Sequence, residues 1–252
     1  MFNLNEGLLA YIGVPMYVHF ICLFFVLLSA YLLGSINSAI LISKVIYKDD
    51  IRKYGSGNGG MTNMLRTFGG KAALMTFFGD LAKTVIAIVI AGFVFGFGYY
   101  GGISVNGYCY FAGLFAVLGH IFPVYYKFKG GKGVLVTSAM ALILTPIPFL
   151  ALLTIFIVVV AISKYVSLGS VTAAILYPVI ANAYINIFLS YKAPGVLSIC
   201  TVLLAIFIVW LHRGNLQRIS ERTERKISFK KKSKEPAEDA KTETSEPSSD
   251  GE

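Results

Sequence analysis

Six long apolar runs decide what this chain can fold into: residues 18–46, 72–97, 107–126, 134–163, 171–190 and 195–211. About 20 apolar residues cross the roughly 30 Å hydrocarbon layer as a helix. Backbone amides in hydrocarbon must be satisfied internally, which favours helices for such runs. Of the 252 residues 56% are hydrophobic and only 14% charged. A water-soluble domain has too little interior for that proportion. The expected fold is therefore an all-α integral membrane protein.

The run 134–163 would be about 45 Å long as one helix, too long for one crossing. It carries Pro146 and Pro148 at its centre, where proline breaks a helix. We read it as two short spans joined by a tight turn. That gives about seven transmembrane helices, with the N-terminus outside and the C-terminus cytoplasmic. Loops 47–71, 127–133 and 164–170 and the segment after Leu211 then share one face. Nearly all Lys and Arg fall on that face, as the positive-inside rule requires, and only Lys192 lies outside. A single span over 134–163 would break the rule. No Lys or Arg precedes the first run, so it is read as a retained span and not a cleaved signal. The Gly34–Ser38 interruption of that run predicts a kink or a close helix contact.

The formal charge of +9 points to orientation and anionic headgroups before nucleic acid, which is not expected as a partner. Cys22, Cys109 and Cys200 are far apart with no CxxC pair, so they are expected to be small packed hydrophobes; no metal or cofactor is expected. Residues 1–227 are read as the transmembrane domain. Residues 228–252 are a mixed-charge Ser/Pro/Glu-rich tail, expected to be disordered and cytoplasmic.

Three polar segments carry the chemistry. GSGNGGMTNMLR (55–66) combines glycines, which permit left-handed turns and close approach, with Ser56, Asn58, Asn63 and Arg66. Arg52 and Lys53 add positive charge just before it. Such a set suits a phosphate. FKGGKGV (128–134) places Gly130, Gly131, Lys132 and Gly133 at the start of a helix, an arrangement of free N–H groups and an ammonium that suits an anion. HRGNLQRISERTE (212–224) offers His212, Asn215 and Arg218 at three-residue spacing: a proton acceptor, an amide and a phosphate clamp. Lipid-headgroup anchoring is the competing reading of the two basic segments. Ser167 and Ser170 lie on the same face, and one of them is expected to bind phosphate. Asp80 and Lys83, one turn apart inside a span, are expected to form a structural pair. His120, Ser35 and Asn37 are read as packing groups.

Two formal matches fail. GSGNGG lies between membrane spans, not in a strand–turn–helix unit, so it is no dinucleotide fingerprint; GGKG lacks the Walker A spacing. No histidine has an aspartate five residues later, so the His-x4-Asp acyltransferase dyad is missing.

In order and spacing these segments, with GDLAK (79–83), GHIFP (119–123) and YVSLGS (165–170), resemble the signatures of the bacterial membrane glycerol-3-phosphate acyltransferases of the PlsY type. The resemblance covers about residues 30–227. It implies transfer of a fatty acyl group from acyl phosphate to the 1-hydroxyl of glycerol 3-phosphate, giving lysophosphatidic acid and inorganic phosphate. It also implies a seven-helix fold in a bacterial plasma membrane with the active face cytoplasmic, and membrane lipid as surroundings. The catalytic residues are then expected to be His212, Lys132 and Glu224. Substrate is expected at Ser56, Asn58, Asn63, Arg66, Gly130, Gly131, Gly133, Ser167, Asn215 and Arg218. The chain departs from the family pattern at Asn37 (usually Pro), Gly59 (Ile or Val), Met61 (Ala) and Arg222 (Gly). The alternative from another class is a transporter for anionic phosphorylated solutes, whose site would lie near the bilayer midplane.

Overall fold

A computed structural model describes residues 3–101, 103–104 and 106–227; the expected tail, 228–252, lies outside the described residues. The helices are α1 (Gly7–Ile12), α2 (Met16–Ser35), α3 (Ser38–Ile46), α4 (Met61–Phe68), α5 (Gly70–Phe95), α6 (Gly107–Ile121), α7 (Val134–Leu144), α8 (Pro146–Ser163), α9 (Val166–Ala183) and α10 (Gly195–Ser220). Six helices among the described residues are long and apolar enough to cross a membrane; α7, with 11 residues, is shorter. The fold is all-α as expected, with one small addition. Tyr99–Tyr100 pairs antiparallel with Ile103–Ser104 in a small hairpin between α5 and α6. The short helix α1, too small to register as an apolar run, packs on α5.

The outer surface is apolar, as in a protein whose solvent is lipid: Phe20, Phe24, Phe25, Ile162 and Ile199 are exposed. Inside, α6 is the central post, packed by α2, α5, α7 and α10. Small residues let it sit close. A Cβ on Gly34 would stand 2.1 Å from the Ala116 carbonyl oxygen, and one on Gly119 would stand 2.2 Å from that of Tyr31. Backbones approach in this way where lipid offers no hydrophobic drive for association.

Two breaks position the site. The first apolar run divides at Ile36–Asn37, where Asn37 Oδ1 accepts from the Ile40 amide (3.0 Å) and starts α3. This is the interruption that the sequence predicts. The run 134–163 divides at Thr145, directly before Pro146. It leaves one end of the bundle and comes back to it, because Lys132 before α7 and Ser167 at the start of α9 both reach Asn215. Helix α10 continues past the apolar run to Ser220, carrying His212, Asn215 and Arg218 on one regular helix.

Candidate active site

The 55–66 loop is held mainly by itself. Gly55 and Gly57 adopt positive φ (58° and 69°), which L side chains rarely take. Gly59 and Gly60 do not; a Cβ on Gly59 would fit tightly, 3.0 Å from Ile40 Cγ1 and 3.2 Å from Asn37 Oδ1. Asn37 Nδ2 also donates to the Gly59 carbonyl (3.1 Å). The two departures from the family pattern at 37 and 59 are therefore in contact. Asn63 was expected to hold substrate, but its amide clamps the loop. Nδ2 donates to the carbonyls of Ile51, Tyr54 and Asn58 at 3.0–3.2 Å, and Oδ1 accepts from the Ser56 amide at 3.3 Å. Asn58 thus serves this clamp through its carbonyl, and Ser56, through its N–H, stands on the exposed rim of the loop.

The positive charge next to this loop is also partly committed. Arg52 grips Asp50 through two nitrogens, Nε–Oδ1 3.0 Å and Nη2–Oδ2 2.7 Å, and Lys53 pairs with Asp49 at 2.8 Å. The Arg52 hydrogen bond, opposed by burial, holds the Asp50 carboxyl down at about 2. Arg66 remains. Its Nη2 reaches the Arg225 carbonyl at 3.5 Å, and it feels the attraction of Glu224.

The glycine loop before α7 differs from a nest of free N–H groups. The Gly130 amide donates to the Ile121 carbonyl (3.2 Å) and the Gly131 amide to that of His120 (3.0 Å). These two N–H groups fasten the loop to the end of α6 and are not free for a ligand. Gly133 takes φ 80° and turns the chain into α7, whose first N–H groups have no partner within the helix. The glycines at 130 and 131 are required by contact: a Cβ on Gly131 would meet His120 Nε2 at 2.0 Å and the Gly59 carbonyl oxygen at 2.9 Å. The first two glycine segments therefore touch.

The third segment completes a polar centre with Asn215 at its hub. Lys132 Nζ donates to Asn215 Oδ1. Asn215 Nδ2 donates to Ser167 Oγ (2.9 Å) and to Glu224 Oε1 (2.7 Å). Ser167 Oγ donates to the same Glu224 oxygen at 2.9 Å, and Arg218 Nε donates to Oε2 at 2.8 Å. Of the two serines considered, Ser167 joins the centre, whereas Ser170 bonds back to the Val166 carbonyl of its own helix. His212 lies one turn before Asn215 and is buried. Its Nδ1 donates to the Ile208 carbonyl at 2.8 Å, which leaves Nε2 with the free lone pair of the neutral ring.

Glu224 is brought in by a turn at Arg222, where φ is 58° and the amides of Thr223 and Glu224 both return to the Arg218 carbonyl (2.8 and 3.1 Å). Glycine suits that left-handed turn better than arginine. Burial would raise the Glu224 carboxyl, but hydrogen bonds from Asn215, Arg218 and Ser167 outweigh it and hold it below the ordinary value. Lys132 is pushed down to about 8. Burial is the main cause, Arg218 and Arg66 add repulsion, and Glu224 opposes them. Three cations thus surround a single carboxylate, a charge excess that suits anionic ligands.

An apolar groove of about 490 Å³ lies between α9 and α10, lined by Ile175, Pro178, Val202, Ala205, Ile206, Val209 and Trp210. His120, read from the sequence as a packing group, is indeed buried. It contacts both Lys83 and the glycine loop.

A family model described as glycerol-3-phosphate acyltransferase matches residues 24–222. The glycerol-3-phosphate acyltransferase of Geobacillus kaustophilus (strain HTA426) is 41% identical over 204 residues, covering 81% of this chain and 95% of that protein. The enzyme of the same name from Bacillus subtilis (strain 168) is 36% identical over 200 residues, covering 79% and 95%. Among solved structures, the glycerol 3-phosphate form of PlsY, an integral membrane glycerol 3-phosphate acyltransferase, superposes with TM-score 0.71 at 32% identity, covering 82% of this chain and 96% of that one. Its lysophosphatidic acid form gives TM-score 0.69 at 31% identity.

Proposed function

The chain belongs to the PlsY family of integral membrane glycerol-3-phosphate acyltransferases, and we propose that its acyl donor is acyl phosphate and its products are lysophosphatidic acid and inorganic phosphate. The observation that carries the proposal is the polar centre itself: Lys132, Arg66 and Arg218 gathered around Glu224 at one end of the helix bundle; a separate apolar groove runs between α9 and α10. Two phosphates need more positive charge than one carboxylate cancels. On α10 the groove follows residues 202 to 210, about 12 Å of helix leading away from His212. It is the place that we assign to the fatty chain.

Acyl phosphate is already activated, so no acyl-enzyme is required. The C1 hydroxyl oxygen of glycerol 3-phosphate attacks the acyl carbonyl carbon, a C–O ester bond forms, and the carbonyl carbon–phosphate oxygen bond breaks. The hydroxyl proton goes to His212 Nε2 or to the departing phosphate. Lys132 and the first turn of α7 hold that phosphate, while Arg66, Ser56 and Asn215 hold glycerol 3-phosphate. Positioning supplies most of the rate, since correctly oriented partners gain effective molarities of 10⁵ M or more. We place the centre on the cytoplasmic face of a bacterial plasma membrane, with seven spans and residues 1–227 as the catalytic domain. A transporter would put its site near the midplane.

The test is phosphate release from acyl phosphate by the detergent-solubilised chain. Release that depends on glycerol 3-phosphate and yields lysophosphatidic acid is the expected outcome. Release independent of the acceptor, or none, sinks the reading.

A pH profile follows from Lys132. Below about 8 its ammonium is charged and can grip phosphate; above that it is neutral. The acceptor's phosphate monoester loses its second proton near pH 6. Thus kcat/KM should rise through about 6 and fall through about 8, while bound phosphate should shift the alkaline fall in kcat to higher pH. Lys132→Arg should remove the alkaline fall near 8. An unchanged alkaline limb in that variant would show that another group titrates.

A further inference from the structure

We propose that Asp80, Lys83 and His120 are positioning residues for acyl transfer: they lock the two glycine segments to each other and so set the distance between the bound donor and acceptor, touching neither. The inference rests on the functional reading above, in which one segment holds each substrate.

All three side chains are buried, at 1%, 5% and 3% exposure. Asp80 and Lys83 come from α5 and His120 from α6. Lys83 Nζ pairs with Asp80 Oδ1 at 2.8 Å, an ion contact without the angle of a hydrogen bond. It also donates to the Ile36 carbonyl (2.8 Å) and contacts His120 Nδ1 (3.0 Å). An ammonium can only donate, so Nδ1 is the acceptor and the ring proton sits on Nε2. That edge of the ring faces Gly131, where a Cβ would come within 2.0 Å of Nε2.

The cluster therefore reaches both segments. On one side the His120 ring backs Gly131, and its carbonyl accepts the Gly131 amide. On the other, Lys83 holds the carbonyl of Ile36 in the α2–α3 break. The next residue, Asn37, holds the Gly59 carbonyl of the 55–66 loop. Gly59 and Gly131 meet face to face between these two anchors. A buried ion pair is a poor source of stability, but it is a good way to fix one geometry where a helix is interrupted. Breaking it should loosen the register of two loops that each still bind their own ligand.

The test uses the full chain in detergent, with kcat and KM for glycerol 3-phosphate measured beside thermal unfolding. His120→Asn retains an acceptor for Lys83 but no longer backs Gly131. The double variant Asp80→Asn with Lys83→Met removes the pair without stranding a charge. Each should lower kcat by about 30- to 100-fold, the scale of a displacement near 1 Å, with KM within threefold and a melting temperature close to wild type. The inference is overturned by a folded variant whose kcat stays within threefold of wild type. It is also overturned if activity falls only in proportion to the folded fraction, or if neither variant folds, since the cluster then serves stability alone. A wild-type chain without acceptor-dependent turnover would instead remove the functional reading on which this stands.

Discussion

Replacing Lys132 by methionine is expected to lower kcat/KM for glycerol 3-phosphate by about 10³-fold, the effect of deleting one preorganised charge from a transition-state site. The side chain is chosen to keep length and packing while losing the ammonium. Lys132 is the charge nearest the start of α7, and its partner Asn215 ties it to Ser167 and Glu224. Losing it leaves Asn215 Oδ1 without that donor, which costs stability. It also removes a desolvated cation, which recovers some. The melting temperature should therefore move by only a few degrees while turnover collapses. Lys132→Arg should restore part of the rate, because a guanidinium still binds phosphate but from a different geometry. Steady-state kinetics on the purified variants decide the matter; a loss below tenfold would move the main anion contact to Arg66 or Arg218.

Gly131→Ala should be nearly as severe for a different reason. Its backbone is not in the left-handed region, so the obstacle is steric. The new methyl would stand 2.0 Å from His120 Nε2, 2.7 Å from Cε1 and 2.9 Å from the Gly59 oxygen. His120 is buried and held by Lys83, so it cannot simply swing away. Overpacking of this kind costs about 1–3 kcal/mol, and the loop displacement should cut kcat at least 10²-fold. Gly195→Ala is the control. No atom lies within 4 Å of its added Cβ, and its φ is ordinary. Near-normal activity in Gly131→Ala would mean that the loop does not need its close seat on α6.

The apolar runs and their breaks could be read from the chain because they are local. Pro146 stops a helix wherever it stands, and the helix break does fall at Thr145. The polar spacing of His212, Asn215 and Arg218 could be read because a helix turns that spacing into one face. Other features depended on partners that only the folded chain supplies. Whether the Asn63 amide serves a ligand or its own loop depends on carbonyls at 51, 54 and 58. Gly130 and Gly131 looked like free donors because the carbonyls that take their N–H groups belong to α6. Lys83 and His120 stand 37 positions apart, and only helix packing brings them together. Residue types point to phosphate as the ligand; contacts made in the fold decide which groups are left free to bind one.

Asn215, Arg218 and Glu224 all come from the last stretch of the described chain, and Asn215 is the atom-level link between Lys132 and Ser167. The ribosome makes the glycine segments before this link. A nascent chain that has inserted α2 to α9 has every cation of the first two segments in place and no hub to gather them. Assembly of the polar centre thus waits for α10, which carries its hub.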